Sequence, residues 1–188
     1  MNYLIFDTET TGLPKNWKAP VQRLDNWPRL VQLAWILYDE QGKDQLKHSR
    51  IIKPEGFTIP HDAARVHGIT TARALREGEP LVEVLQEFCR VVNRDNLTLV
   101  AHNIAFDEKI IGAELLRMNL ASKFFELPKI CTMKSSIDFC NLPNKKYPRL
   151  GELYYILFNT DFQDAHHADT DVLACGKCFF ELKRKRVV

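Results

Sequence analysis

Tyr3-Leu4-Ile5-Phe6-Asp7-Thr8-Glu9-Thr10-Thr11-Gly12-Leu13 is the stretch on which the reading of this chain turns. Tyr3 to Phe6 is a short continuous apolar run ending at Asp7, the pattern of a strand buried on both faces with polar chemistry at its carboxyl end. Side chains two apart in extended backbone point to the same side, so Asp7 and Glu9 share one small volume next to a core. Carboxylates so placed repel one another and are costly to desolvate unless they are protonated, hydrogen-bonded or bound to a cation. A hard divalent cation resolves the conflict, and carboxylate oxygens suit Mg²⁺ or Mn²⁺ better than zinc. Taken alone, however, an Asp-x-Glu reads more simply as a strand end followed by a polar turn over residues 8–12.

Outward from this run, Leu30 to Tyr38 is a second strand candidate. Asp39 to Lys43 reads as a turn and His48 to Lys53, stopped by Pro54, as a third strand, which makes an antiparallel meander. Leu81, Val84, Leu85, Phe88, Val91 and Val92 recur at three- and four-residue spacing and predict an amphipathic helix. Asn96 to Ala101 predicts another strand, followed by a helix from about Phe106 to Met118; Lys129 to Thr132 is a further short strand. A last helix from near Thr170 to about Arg184 buries Val172, Cys175, Phe179 and Leu182 as one stripe. Strands first and alternation later predict an α/β chain: a mixed β-sheet, antiparallel meander plus parallel strands, flanked by helices. Residues 14–28, bounded by Pro14 and Pro28 and containing Trp17 and Trp27, form an insertion of the length at which loops are functional or mobile. The sequence assigns it no role.

The 188 residues are expected to form one domain, 1–188. With 45% apolar and 27% charged residues, disorder and low-complexity classes are excluded. A formal charge of +2 neither identifies nor excludes a nucleic-acid partner. No apolar run approaches a membrane span, no basic flank precedes Tyr3 as in a signal peptide, and the five cysteines have no framework spacing. A cytoplasmic protein with reduced thiols and no membrane partner is therefore expected. Cys175-x-x-Cys178 beside His166 and His167 invites a zinc reading, but Cys175 falls on the apolar stripe and no second cysteine pair exists at ribbon spacing, so core thiols are expected. Lys183 to Arg186 could track a phosphate backbone, although a basic helix end is the commoner meaning.

Two further acidic segments stand at points where helices begin. Asp107 follows Ala101-His102-Asn103, a strand-to-helix junction of the kind that holds ligands in parallel sheets, and Asp169 and Asp171 open the last helix after Ala165-His166-His167. Singly, each acid suits a helix start through capping or the dipole. In order, however, Phe6-Asp7-Thr8-Glu9, then His102-Asn103-x-x-Phe106-Asp107, then His166 five residues ahead of Asp171, resemble the three motifs of the DEDDh-type 3′-to-5′ exonucleases. That family includes the DNA polymerase III epsilon subunit, RNase T and oligoribonuclease. Gly56-Phe57-x-Ile59-Pro60, Val66-His67-Gly68-Ile69-Thr70 and Arg149-Leu150-Gly151-Glu152-Leu153 also resemble family segments. An ordered match over nearly the whole chain is far more specific than any single motif.

The resemblance implies a ribonuclease-H-like fold and a two-metal phosphodiesterase site binding Mg²⁺ or Mn²⁺. By that likeness Asp7 bridges both ions, Glu9 and Asp171 complete the first site, Asp107 holds the second, and His166 is the general base. A base near neutral pH suits an imidazole. Adjacent His167 is the alternative, His166 being preferred for its five-residue spacing to Asp171. Substrate contacts carried over in the same way are the backbone of Thr8 and Glu9 at a 3′ hydroxyl, Leu13 on a base, and Asn103 and Phe106 lining the pocket. Ordinary core packing is an equal reading of Leu13 and Phe106. The implied activity is removal of nucleoside 5′-monophosphates from 3′ ends of single-stranded nucleic acid, with DNA placed first. An exoribonuclease of the oligoribonuclease type is one alternative, and a non-catalytic polymerase subunit is another, disfavoured because all five site residues are present. A polymerase partner and a homodimer both stay open.

Overall fold

In the computed structural model, which describes residues 1–161 and 168–188, the apolar run at Tyr3 extends through both acids as strand β1 (Asn2–Thr10). The expected end at Asp7 is thereby moved. Backbone pairing with β2 (Leu30–Tyr38) continues past it, Asp7 facing Ala34 and Glu9 facing Gln32, so the acids lie within the strand and a shift in register follows only at Glu9/Thr10. β3 (Asp44–Ile51) pairs antiparallel with β2, starting before the expected His48 because the meander's turn is tight. Gly42 there has φ +85°, left-handed backbone that glycine adopts without strain. β4 (Leu97–Ala101) lies parallel to β1, and β5 (Lys129–Cys131) parallel to β4. The sheet is mixed, as expected, and its order, β3-β2-β1-β4-β5, puts β1 at the centre.

Between β3 and β4 run α1 (His61–His67), α2 (Thr71–Glu77) and α3 (Leu81–Val92). α4 (Ile104–Arg117) joins β4 to β5. Two single turns, α5 (Thr132–Ser135) and α6 (Ile137–Cys140), precede α7 (Leu150–Phe158) and α8 (Ala168–Arg184). α1 and α2 were not legible as helices: at seven residues each, they lack the repeats that establish a period.

Strand alternation divides the core. Leu4 and Phe6 pack on the α3 and α4 side with Phe88, Ile110 and Phe124, while Tyr3 and Ile5 pack against Val172, Cys175 and Phe179 of α8. Each fully buried Phe or Leu here contributes about 1.5–3 kcal/mol relative to exposure. α8 approaches the sheet closely at Gly176, where a Cβ would stand 3.1 Å from the Tyr38 hydroxyl and 3.4 Å from Ile5. Cys175 lies in the α8–sheet cluster and Cys178 in the α7–α8 cluster, so burial raises both thiols, that of Cys178 to about 12.

The insertion between β1 and β2 is folded. Asn26 accepts from the Asn16 backbone N–H (2.8 Å) and donates to the Asn16 carbonyl (3.0 Å), and the Trp27 indole donates to the Pro20 carbonyl (3.1 Å). Arg117 donates to the carbonyls of Leu24 (2.6 Å) and Trp27 (2.9 Å). Behind them the fully buried Glu114 carboxylate takes Arg29 Nε at 2.8 Å, the Leu30 N–H at 3.0 Å and an ion pair with Arg117 at 3.0 Å. Glu114→Ala leaves two guanidinium groups without their shared anion and is expected to cost about 3 kcal/mol. Urea unfolding checks this, and a change below 1 kcal/mol would mean that water replaces the carboxylate.

Candidate active site

Asp7 and Glu9 stand on the face of β1 that carries Tyr3 and Ile5, and α8 lies across that face. Its first turn brings Asp171 to the pair: one carboxylate oxygen from each of Asp7, Glu9 and Asp171 lies within 4.8 Å of the others. All three side chains are half-buried. Thr8, between the two strand acids, points to the opposite face, toward α4. Its hydroxyl and backbone N–H both donate to Asp107 Oδ1, at 2.7 and 3.1 Å. Thr8 thus fastens the fourth acid beside the other three, and Asp107 is only 3% exposed.

Electrostatics give this cluster its character. Burial, then the charges of Asp107, Asp171 and Glu9, hold the Asp7 carboxyl well above the usual carboxylate range. Burial and the charges of Asp171 and Asp107 lift Glu9 to about 8. Asp107 rises to about 7 through burial, against the pull of the Thr8 hydrogen bonds. No arginine or lysine among the described residues forms an ion pair with Asp7 or Glu9. Oxygen donors gathered at this cost, with Asp7 and Glu9 paired to no arginine or lysine among the described residues, fit a hard divalent ion.

His102 directly follows β4. Its ring bonds Thr132 Oγ1 and the Pro148 carbonyl, each at 3.0 Å, tying the end of β4 to the turns before α7. Burial lowers it to about 4 despite the Pro148 contact, so it stands there as a neutral imidazole.

Beside the acids opens a largely apolar cavity of about 390 Å³ lined by Thr8, Glu9, Leu13, Val66, His67 and Phe106, among others. Leu13 is 73% exposed, which removes the core reading for that residue. Asn103 does not line this cavity. It sits at the head of α4 in left-handed backbone, φ 67°, making the sharp turn from β4 into the helix. Of the Thr8 and Glu9 backbone groups that the resemblance places at a 3′ hydroxyl, the Thr8 N–H donates to Asp107 Oδ1 in this structure. Val66 and His67, at the end of α1, are cavity residues to which the sequence assigns no role beyond the family resemblance of segment 66–70. The left-handed Gly68 ends α1 there, and Ile69 N–H donates to His67 Nδ1 (3.2 Å), orienting the ring. His166 falls in residues 162–167, outside the described residues.

Lys183 to Arg186 lie far from these acids. Lys183 covers the ring of Tyr3, at the start of β1, and donates to the Glu40 carbonyl, while Arg184 and Lys185 pair with Glu181. Four residues of strand place Tyr3 about 13 Å from Asp7, so this run is a helix end and does not follow a strand into the site.

A mixed five-stranded sheet with acids gathered from β1, α4 and α8 defines a nuclease of the ribonuclease-H-like fold. Residues 4–179 match the exonuclease family model. The DNA polymerase III subunit epsilon of Treponema pallidum is 28% identical over 183 residues, covering 94% of this chain and 74% of that protein. DNA polymerase III PolC-type of Streptococcus pneumoniae is 29% identical over 184 residues, covering 95% of this chain but 11% of that protein. Escherichia coli exonuclease I, solved with a dA16 oligonucleotide, superposes with a TM-score of 0.79 at 17% identity, over 99% of this chain and 42% of that one. This chain therefore spans about a tenth of the PolC-type relative and two-fifths of exonuclease I. It belongs to the exonuclease family, of the DEDDh 3′-to-5′ type that its motifs resemble, and membership implies a divalent-metal requirement. No helix among the described residues is long and apolar enough to cross a membrane.

Proposed function

We propose that this chain removes nucleoside 5′-monophosphates from the 3′ ends of single-stranded nucleic acid, DNA before RNA, using Asp7, Glu9, Asp107 and Asp171 to hold two ions, Mg²⁺ or Mn²⁺. The observation that carries the reading is the convergence of Asp7, Glu9 and Asp171 oxygens within 4.8 Å, with Asp107 fastened alongside by Thr8. Two ions held there would supply Lewis-acid stabilisation of the attacking and leaving oxygens of an in-line displacement. The protein's own part is to fix the four carboxylates before substrate arrives, so that no reorganisation is needed during reaction. The cavity of Leu13, Val66 and Phe106 offers apolar faces to the terminal base, and an aromatic face stacks on any base. The oligonucleotide held by exonuclease I and the polymerase relatives support DNA as substrate and a polymerase as partner, with a homodimer as the alternative.

His166, five residues ahead of Asp171, is the general base in this reading. Removing a positioned base costs on the order of 10²-fold or more. His166→Ala is expected to show that loss and His167→Ala to stay within about tenfold of the wild type; comparable rates in the two variants would refute the assignment.

The direct test is digestion of 5′-labelled single-stranded DNA and RNA of matched sequence with Mg²⁺, Mn²⁺ or EDTA. A metal-dependent ladder shortening from the 3′ end is expected, faster on DNA. A faster RNA ladder would turn the substrate assignment to RNA, and tight binding without cleavage in either metal would point to a non-catalytic subunit.

A further inference from the structure

Trp17 is the one exposed tryptophan of three: it is 56% exposed, whereas Trp27 and Trp35 are 4% and 0% exposed. Its neighbours are firmly held. The Asn16–Asn26 pair pins the backbone on one side, and Lys18 N–H donates to Asn16 Oδ1 at 2.9 Å on the other. A large apolar ring is thus presented to water on an anchored loop, where solvent alone would favour a polar side chain. The ring leans on Phe106, with centroids 5.7 Å apart and planes at 44°. Phe106 lines the cavity beside the acids, and Trp17 does not, so the indole continues the aromatic wall outward from it. Lys15 and Lys18, on either side, are exposed and form no ion pair with any described residue. An aromatic face between free cations is the pattern by which proteins hold single strands without reading sequence.

Resting on the exonuclease reading above, we propose that Trp17 is a strand-binding residue that stacks on the base next to the terminal one, with Lys15 and Lys18 near the phosphates that follow. The cavity accommodates the terminal nucleotide, and Trp17 acts only on strands of two or more. Its contribution therefore grows on passing from a mononucleotide to an oligonucleotide, independently of which sugar the strand carries.

The indole itself is the reporter. Intrinsic fluorescence is titrated with thymidine 5′-monophosphate, an eight-nucleotide oligothymidylate and the matching oligouridylate, in EDTA so that no strand is consumed. Both octanucleotides are expected to quench and the mononucleotide to do so far less; Trp17→Phe is expected to lose the quench while retaining most of the affinity. Trp17→Ala is expected to raise the Kd for the octanucleotides about five- to tenfold, the low end of a base–aromatic stack. Quenching that persists in Trp17→Phe, or equal Kd values for Trp17→Ala and wild type, would overturn the proposal. Strand digestion separates the two readings. Quenching without cleavage keeps Trp17 on the strand and defeats the exonuclease reading alone, whereas cleavage without Trp17-dependent quenching defeats the Trp17 assignment alone.

Discussion

Asp7→Asn is expected to lower turnover on single-stranded substrate on the order of 10³-fold, and to make the metal-free chain more stable. Asp7 stands at the centre of β1, beside Glu9 and Asp171 and close to Asp107, which makes it the acid best placed to serve both ions of the proposed pair. An amide keeps its shape but loses the charge that holds a divalent cation, and with it several kcal/mol of transition-state stabilisation. The stability change runs the other way because burial and three neighbouring acids already disfavour the Asp7 carboxylate in the folded chain. Neutralising it relieves that repulsion. Steady-state rates on a labelled oligonucleotide and melting temperatures in EDTA, both near pH 8, check the pair of effects. Turnover above a tenth of wild type would remove Asp7 from the reaction, and a lowered melting temperature would show that its role is structural.

The second large effect is on the wild-type chain with its metal removed. Glu9 lies near 8 in the folded state against 4.5 unfolded, and Asp7 and Asp107 are displaced in the same direction. A folded state that holds these protons more tightly than the unfolded chain gains stability from them that is complete below about pH 4.5. That stability is lost as the pH rises through 8. Metal-free stability is therefore expected to fall across this window by on the order of a few kcal/mol. Mg²⁺ or Mn²⁺ should reverse the fall at pH 8, because ions bound only by the folded chain stabilise it by mass action, and should matter little at pH 4.5, where protons compete for the same oxygens. Denaturant titrations in EDTA and in Mn²⁺ at the two pH values test this. A metal effect of equal size at both, or none at pH 8, would mean that the four acids are not the ion site.

Much of this fold was legible in the sequence because its elements carry strong, undisturbed periods. The apolar positions 81–92 repeat as a helix over the observed span, and Leu30 to Tyr38 is a strand at both ends as read. Where boundaries moved, backbone pairing outweighed side-chain pattern. β1 runs on through Asp7 and Glu9 because β2 supplies partners for its N–H and C=O groups, whatever the side chains prefer. The acids themselves were named from their motifs. Which face each occupies, and that Thr8 binds Asp107 around the strand edge, depends on the packing of α4 and α8 on opposite sides of the sheet.

The insertion shows the limit most clearly. Prolines and tryptophans marked residues 14–28 as unusual, but local pattern is silent about contacts as far off as the 93 positions between Leu24 and Arg117. Arg117 and the buried Glu114 of α4 decide its shape, and Phe106 of the same helix decides what Trp17 leans on. By itself the sequence determined the strands and helices with long periods, the four acids and the family they signify, since those are written in residue type and spacing along the chain. Only the tertiary structure decided how Asp171 and Asp107 meet the Asp7–Glu9 pair, that Asn103 turns the chain while Val66 and His67 line the cavity, and that Trp17 faces solvent beside it. Burial and charge repulsion are set by distances through space, and those exist only once the sheet has brought its far-apart segments together.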